Sequence, residues 1–128
     1  MKEYQPGVCN IGADQRRARR RSGVGSFGLA LAVVLAVALD VAPATTLWAT
    51  APFVFGGWAG LVQDYYGFCV AFGALARYDL SGSGGTTGSV AEAEAVAADR
   101  KRAVTVLAIA AALAAVTTAP IVLLGGAV

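Results

Sequence analysis

Three long apolar stretches limit the folds open to this chain more than any other feature. The first covers residues 24–42 and the third covers residues 103–124. Each is long enough, as a helix rising about 1.5 Å per residue, to cross a hydrocarbon core of roughly 30 Å. The composition agrees, since 57% of residues are hydrophobic and 14% are charged, against roughly 45–50% and about 25% in soluble domains. The sequence therefore predicts an all-α membrane protein with one membrane domain over residues 1–128.

The second apolar stretch, residues 47–76, is too long for one straight crossing. Trp and Tyr prefer the two membrane interfaces, and Trp48 and Tyr65 are separated by roughly the thickness of the hydrocarbon core if the chain between them is helical. We therefore predict a second span at about 47–66, with Asp64 at the inner interface. If the span were 54–76 instead, Asp64 would lie at membrane depth and would be a candidate functional carboxylate.

Basic residues predict the orientation. All ten Lys and Arg residues fall at Lys2, Arg16–Arg21, Arg77 and Arg100–Arg102. With three spans, the positive-inside rule makes residues 1–23 and 77–102 cytoplasmic and makes the protein a multi-pass protein of the inner (plasma) membrane. The arginine run is expected to act as a topology anchor that also contacts anionic lipid; its members are Arg16, Arg17, Arg19, Arg20 and Arg21. Nucleic-acid binding is not expected, because no aromatic residues are interleaved with these arginines.

A secretory signal is the alternative for the N-terminal part. Residues 42–44 read Ala-Pro-Ala, which is similar to a small-residue cleavage site after a basic segment. The basic segment is longer than a usual signal, however, and Asp40 lies just before the site. An uncleaved first span is therefore the main prediction.

Capping signals predict that the helices extend into the cytoplasm. Gly12 or Asn10 can cap a first helix that starts at Ala13 with Asp14 in its first turn. Ser89-Val90-Ala91-Glu92 fits a capping box and predicts that the third helix starts at Val90.

The second helix is expected to extend similarly, past Tyr66 as far as residue 76. Residues 81–88 are a flexible linker by composition. The three helical cytoplasmic extensions would then form a bundle, with an acidic flank of Glu92, Glu94 and Asp99 opposite the arginines.

Gly56 and Gly60 have the GxxxG spacing of close helix packing in membranes. Small residues allow two helix backbones to approach where lipid provides no hydrophobic drive. The spacing fits a contact within one protomer, and it also fits a dimer face.

The chemistry available to the chain is narrow. It contains no histidine, so it cannot by itself build His-ligated haem or zinc sites or a Ser/His or Cys/His catalytic pair. The two soft ligands are Cys9 and Cys69, which the predicted topology puts on the same side. They could share a redox event or two positions of a metal site, or each could be a small buried residue. No cofactor is predicted.

Two motifs resemble a family of small prokaryotic membrane proteins that has no assigned activity. They are Pro6-Gly7-Val8-Cys9-Asn10-Ile11-Gly12, followed by arginines, and Phe68-Cys69-Val70-Ala71-Phe72-Gly73. Family members have Pro-Ala-Glu after the first motif, where this chain has Ala13-Asp14-Gln15. The resemblance implies that the two cysteine segments pair, and it implies no reaction.

We expect a structural or accessory subunit of a membrane assembly, in contact with the lipid bilayer and with other membrane subunits or further copies of itself. One alternative is a cytoplasm-facing thiol redox or metal-binding protein that uses Cys9 and Cys69. A second is a small transporter, which would have to oligomerise because three short helices hardly enclose a water-filled path. The sequence favours a role that is not enzymatic.

Overall fold

A computed structural model of the chain describes residues 4, 6–80 and 87–127. Four α-helices and one short hairpin account for most of them. They are α1 (Ala13–Ala38), α2 (Thr50–Tyr66), α3 (Val70–Ala74), β1 (Arg77–Asp79), β2 (Thr87–Ser89) and α4 (Ala93–Ala127), with a 3₁₀ helix at Ala44–Ala49 before α2. The expected all-α class is confirmed, and the hairpin is a small addition to it.

Helix α1 begins and ends where its local sequence provides caps. Gly12 is the N-cap residue, and Asp14 lies in the first turn, where the helix dipole favours a negative charge. At the other end Asp40 has a left-handed backbone, with φ of 58°, and the Val41 N–H donates to the Ala36 carbonyl at 2.9 Å. This is the hydrogen bond of a Schellman cap, here formed around an aspartate in place of the usual glycine.

The prediction that the second helix continues past Tyr66 is wrong. Gly67 takes a left-handed conformation, with φ of 65°, and caps α2. Phe68 and Cys69 follow, and the short helix α3 starts at Val70. The alternative span at 54–76 is excluded for the same reason, because those residues do not form one helix.

The predicted capping box at Ser89 is also wrong. Ser89 lies in β2 and pairs with Arg77 in an antiparallel hairpin, and the Val90 N–H donates to the Ala76 carbonyl at 2.7 Å. The chain is therefore still extended at Val90, and α4 begins at Ala93. Of the predicted linker, residues 81–86 lie outside the described part of the chain.

Helix α2 packs between α1 and α4 and contacts both. It runs antiparallel to both helices. Its first turns therefore contact the last turns of α1, and its last turns contact the first turns of α1. A cluster of Ala30, Val54 and Ala114 joins all three helices in the middle. A second cluster, with Phe68 and Val106 at its centre, joins the end of α2 to α4.

Two of the helices, Ala13–Ala38 and Ala93–Gly125, are long and apolar enough to cross a membrane. Only 11% and 17% of the residues in their most apolar windows are buried, whereas the core helix of a soluble protein is mostly buried. Large apolar side chains are half exposed or more on both, among them Leu29, Leu31 and Leu35 on α1 and Val104, Val116 and Leu123 on α4. Helix α2 has 17 residues and is shorter than the usual span of about 20.

Candidate functional site

The N-terminal turn, residues 6–12, is bound to the α2–α3 corner by the side chain of Asn10. The amide Nδ2 donates to the Cys69 carbonyl at 3.1 Å, and the Cys69 N–H donates to Asn10 Oδ1 at 2.6 Å. Asn10 is fully buried. The Cys69 carbonyl also accepts from the Gly73 N–H at 2.9 Å. Because one side chain bonds both backbone groups of Cys69, the turn and the corner are held in one register.

Backbone hydrogen bonds extend this attachment on both sides of Asn10. The Asn10 and Ile11 N–H groups donate to the Gly67 carbonyl at 3.1 and 3.3 Å. The Asp79 N–H donates to the Asn10 carbonyl at 2.8 Å, and the Gly12 N–H donates to the Asp79 carbonyl at 2.7 Å. The turn therefore forms one isolated parallel bridge with β1, between Ile11 and Asp79, and it joins α1 to the corner and the hairpin.

Asp99 on α4 holds the start of the chain. Its carboxylate accepts hydrogen bonds from the Tyr4 hydroxyl and, at 2.7 Å, from the Gly7 N–H. Asp99 is fully buried, so these two donors stabilise a carboxylate that has no access to water. Burial of Tyr4 and its hydrogen bond to Asp99 raise the pKa of the Tyr4 hydroxyl well above its usual value, and the charges of Asp99 and Glu92 add to the effect.

Cys9 and Cys69 are both buried free thiols. The Cys9 Sγ donates to the Ile11 carbonyl at 3.4 Å. The Cys69 Sγ accepts a hydrogen bond from Arg19 Nη2 at 3.0 Å. Among the described residues, no three Cys, Asp or Glu side chains are grouped so that they could hold a metal ion. A cation at Cys69 would also be repelled by the guanidinium that contacts the sulfur.

Asp64 lies in the last turn of α2, next to the arginine run of α1. Its carboxylate is 3.4 Å from Arg16 Nε and 3.9 Å from Arg20 Nε. Arg16 Nε also donates to the Asp64 backbone carbonyl at 2.8 Å. One carboxylate thus serves two arginines and fixes the end of α2 against the first turns of α1.

The other arginines of the run have different surroundings. Arg17 pairs with Asp14 on the exposed side of α1 at 2.5 Å. Arg19 faces Cys69 and lies 5.9 Å from the centre of the Phe72 ring. Arg21 is exposed. The run is therefore not one uniform anchor, because its members contact three different parts of the chain.

Gly56 and Gly60 face α1 within the same chain. A Cβ atom on Gly60 would lie 2.5 Å from the Arg19 carbonyl oxygen, and one on Gly56 would lie 2.7 Å from Ser26 Oγ. The Ser26 hydroxyl donates to the Phe53 carbonyl at 2.6 Å across the same contact. The two glycines thus allow α1 and α2 to approach closely.

Sequence reasoning missed the roles of Asn10 and Asp99. The sequence pattern indicates Asn10 only as a possible helix cap and Asp99 only as part of an acidic flank. A helical spacing could have identified Asp99, since the buried residues of α4 include Ala95, Asp99, Ala103 and Val106, which recur every three or four positions. No comparable signal in the sequence identifies Asn10, because its partner is a backbone segment about sixty residues further along the chain.

Comparison of the chain with protein-family models, with curated proteins and with solved structures finds no match.

Proposed function

We propose that the chain is a three-span integral membrane protein that acts as a structural or accessory subunit of a membrane assembly. Its support begins with the exposed apolar surfaces of α1 and α4. A helix that crosses a bilayer meets lipid in place of protein, so large apolar side chains can remain exposed along it.

The antiparallel path of α2 supports a third crossing. Asp64 at the end of α2 lies beside Arg16 at the start of α1, and Val54 lies beside Ala30 in the middle. If α1 crosses the membrane, α2 therefore returns at the same depth. The 3₁₀ helix Ala44–Ala49 adds about 2 Å per residue to the path, which compensates for the short length of α2.

Two polar side chains at mid-depth, Trp58 and Thr117, have hydrogen-bond partners within the bundle. Trp58 Nε1 donates to Thr117 Oγ1 at 2.9 Å, and the Thr117 hydroxyl donates to the Leu113 carbonyl at 2.8 Å. The Trp58–Thr117 bond joins α2 to α4, and the bond from the Ser26 hydroxyl to the Phe53 carbonyl joins α1 to α2. Such interhelical hydrogen bonds are typical of helices that pack in a bilayer, where no water can replace them. They favour a fixed three-helix unit over two independent spans.

The basic residues support a cytoplasmic N-terminus in the inner (plasma) membrane. Arg16–Arg21 and Arg100–Arg102 lie at the same end of the bundle, because α1 and α4 both run antiparallel to α2. The positive-inside rule assigns that end to the cytoplasm. The opposite end, around the 3₁₀ helix, carries no basic residue.

One observation carries the proposed role as a subunit: the fully buried polar side chains hold parts of the chain together. Asn10 joins the N-terminal turn to the α2–α3 corner, Asp99 joins the chain start to α4, and the Thr50 hydroxyl donates to the Leu47 carbonyl at 2.6 Å. The polar atoms of these side chains are engaged in hydrogen bonds within the chain. This favours the interpretation that the protein is a rigid structural subunit over the interpretation that it contains a reactive centre.

Purification from native membranes in mild detergent tests this role. We expect the protein mass in the complex to exceed that of one chain of 12.9 kDa, through other subunits or through further copies. A strictly monomeric protein that co-purifies with nothing would contradict the proposal. The mass of the complex is compared between an extract in dodecylmaltoside and an extract in a harsher detergent. A weakly bound partner is lost only in the harsher detergent, whereas a chain without a partner has the same mass in both.

A further inference from the structure

A crevice of about 280 Å³ lies beside Arg19, between the first turns of α1 and the corner that follows α2. Its polar lining includes Arg19, Ser22 and Gln63, and its apolar lining includes Ala59 and Ala71. The side chain of Gln63 already has hydrogen-bond partners. Its Nε2 donates to the Ala59 carbonyl and its Oε1 accepts from the Val70 N–H, both at 2.9 Å. Arg19 and Ser22 are thus the polar groups best placed to meet a molecule in the crevice.

Arg19 has poorer partners than its neighbours in the arginine run. Its guanidinium contacts the Cys69 sulfur and the face of Phe72, whereas Arg16 and Arg17 contact carboxylate oxygens. A thiol sulfur is a weak acceptor, and a guanidinium has five donors in a geometry that suits two oxygens of a phosphate or carboxylate. The Arg19 side chain is therefore held at the crevice with donors that an oxyanion could use.

The charge around the crevice also favours an anion. Five arginines lie in residues 16–21, and among the residues that the structure describes the carboxylates that pair with them are Asp14 and Asp64. The segment thus keeps an excess of positive charge at the end of the bundle that we assign to the cytoplasmic interface. Phosphates of anionic lipids lie at that depth.

We infer that the crevice binds the phosphate of an anionic glycerophospholipid. Arg19 pairs with two phosphate oxygens, the Ser22 hydroxyl donates to the headgroup, and an acyl chain lies along Ala59 and Ala71, whose small side chains leave room. This inference rests on the proposed function, because a lipid reaches the crevice only if α1 crosses the membrane.

Binding to the purified full-length chain in a neutral detergent tests the site. The midpoint of thermal unfolding is followed by tryptophan fluorescence during titration with short-chain phosphatidylglycerol, with short-chain phosphatidylcholine or with inorganic phosphate. We expect phosphatidylglycerol to stabilise the wild-type chain at concentrations at which the other two do not. Arg19→Gln should weaken this binding about tenfold, which corresponds to about 1.4 kcal/mol.

Arg17→Gln is the matched control, since it removes the same charge from the same helix and breaks only an exposed pair with Asp14. It should weaken binding less than about threefold. Ser22→Leu provides a variant that leaves the Arg19–Cys69 contact intact and fills the exposed mouth of the crevice; we expect it to weaken binding as well. Equal effects of Arg17→Gln and Arg19→Gln, or equal binding of phosphatidylcholine, would overturn the inference.

Inorganic phosphate could bind as well as phosphatidylglycerol and show the same dependence on Arg19. That result would mean that the crevice is a site for free phosphate, and it would overturn the inference that the ligand is a lipid. Alkaline carbonate extraction of native membranes separates the two proposals. Release of the chain by carbonate would refute the membrane-spanning proposal itself. A chain that stays in the membrane but shows no preference for phosphatidylglycerol refutes only the lipid site.

Discussion

The side chain of Asn10 pairs with the backbone of Cys69 much as a neighbouring strand would, donating to its carbonyl and accepting from its N–H. Asn10 provides the partner of the Cys69 N–H at the break between α2 and α3, and it shares the Cys69 carbonyl with the Gly73 N–H. The N-terminal turn and the α2–α3 corner, which are far apart in the sequence, therefore form one unit.

Asn10→Ala should lower the free energy of unfolding by about 1–3 kcal/mol, because it leaves the buried N–H of Cys69 without a partner, while the Cys69 carbonyl keeps its hydrogen bond from the Gly73 N–H. Thermal or urea unfolding in detergent measures the change. The control is Gln15→Ala, which removes a half-buried amide bonded to Asp79 at 2.9 Å and should cost about 1 kcal/mol or less. Equal losses in the two variants would contradict the role assigned to Asn10.

Gly60→Ala should destabilise the α1–α2 contact by about 1–3 kcal/mol, since the added methyl group meets the Arg19 backbone and the two helices must separate. Gly25 on α1 offers a matched control, because a Cβ there meets nothing within 4 Å. Gly25→Ala should be neutral or stabilise the helix by about 0.5–1 kcal/mol. Unfolding midpoints of the two variants give the comparison, and a Gly60→Ala chain as stable as wild type would refute the close contact.

The bond between Tyr4 and Asp99 should weaken at high pH. Because the pKa of Tyr4 is raised in the folded chain, folding favours the protonated hydroxyl; this stability is fully present below the ordinary pKa of about 10 and is lost as the pH rises above it. Hydrogen exchange at the Gly7 amide should therefore accelerate more steeply above about pH 10 than base catalysis of exchange alone predicts.

Tyr4→Phe removes this titration, so the extra acceleration should disappear in that variant. Tyr65 is 78% exposed, and Tyr65→Phe should behave as wild type. An unchanged pH profile in Tyr4→Phe would mean that another group controls the attachment of the chain start.

Neither thiol should react with maleimide in the folded protein. Cys9 and Cys69 are 2% and 1% exposed, and reaction requires contact between the reagent and the sulfur. Both should be labelled after denaturation, as mass spectrometry would show. Rapid labelling of either thiol in the folded chain would favour the redox alternative over the structural role.

The sequence predicted best what is decided locally. Gly12 and Asp14 mark the start of α1 because capping depends on neighbouring residues alone. The end of α2 could not be predicted in the same way. Gly67 and Gly73 both lie in the apolar stretch and either could end a helix, but only Gly67 takes the left-handed backbone that caps α2. The capping box at Ser89 failed because pairing with β1 outweighed the local helix signal.

The candidate site was predicted only in part. The segments around Cys9 and Cys69, whose pairing the resemblance implies, do lie together, but the contact between them is made by Asn10 and by the backbone. Thiol chemistry made the cysteines conspicuous in the sequence, whereas a buried amide that pairs with a distant backbone becomes visible only when the chain is folded. The sequence predicts Asp64 at the inner membrane interface, in a helix that continues to residue 76. The structure places it in the last turn of α2, and its two arginine partners follow from the antiparallel packing of α1 and α2.

The central claim is that α2 crosses the membrane as a third span. The sidedness of one added cysteine at each end of α2 tests it most directly, because Cys9 and Cys69 are buried and should not react in the folded protein. Thr45→Cys and Glu94→Cys place exposed thiols on either side of α2, and a membrane-impermeant maleimide is applied to intact cells and to permeabilised cells. With three spans, Thr45→Cys is labelled in intact cells, and Glu94→Cys is labelled only after permeabilisation. If both positions are labelled in intact cells, α2 does not cross, and the three-span account is contradicted.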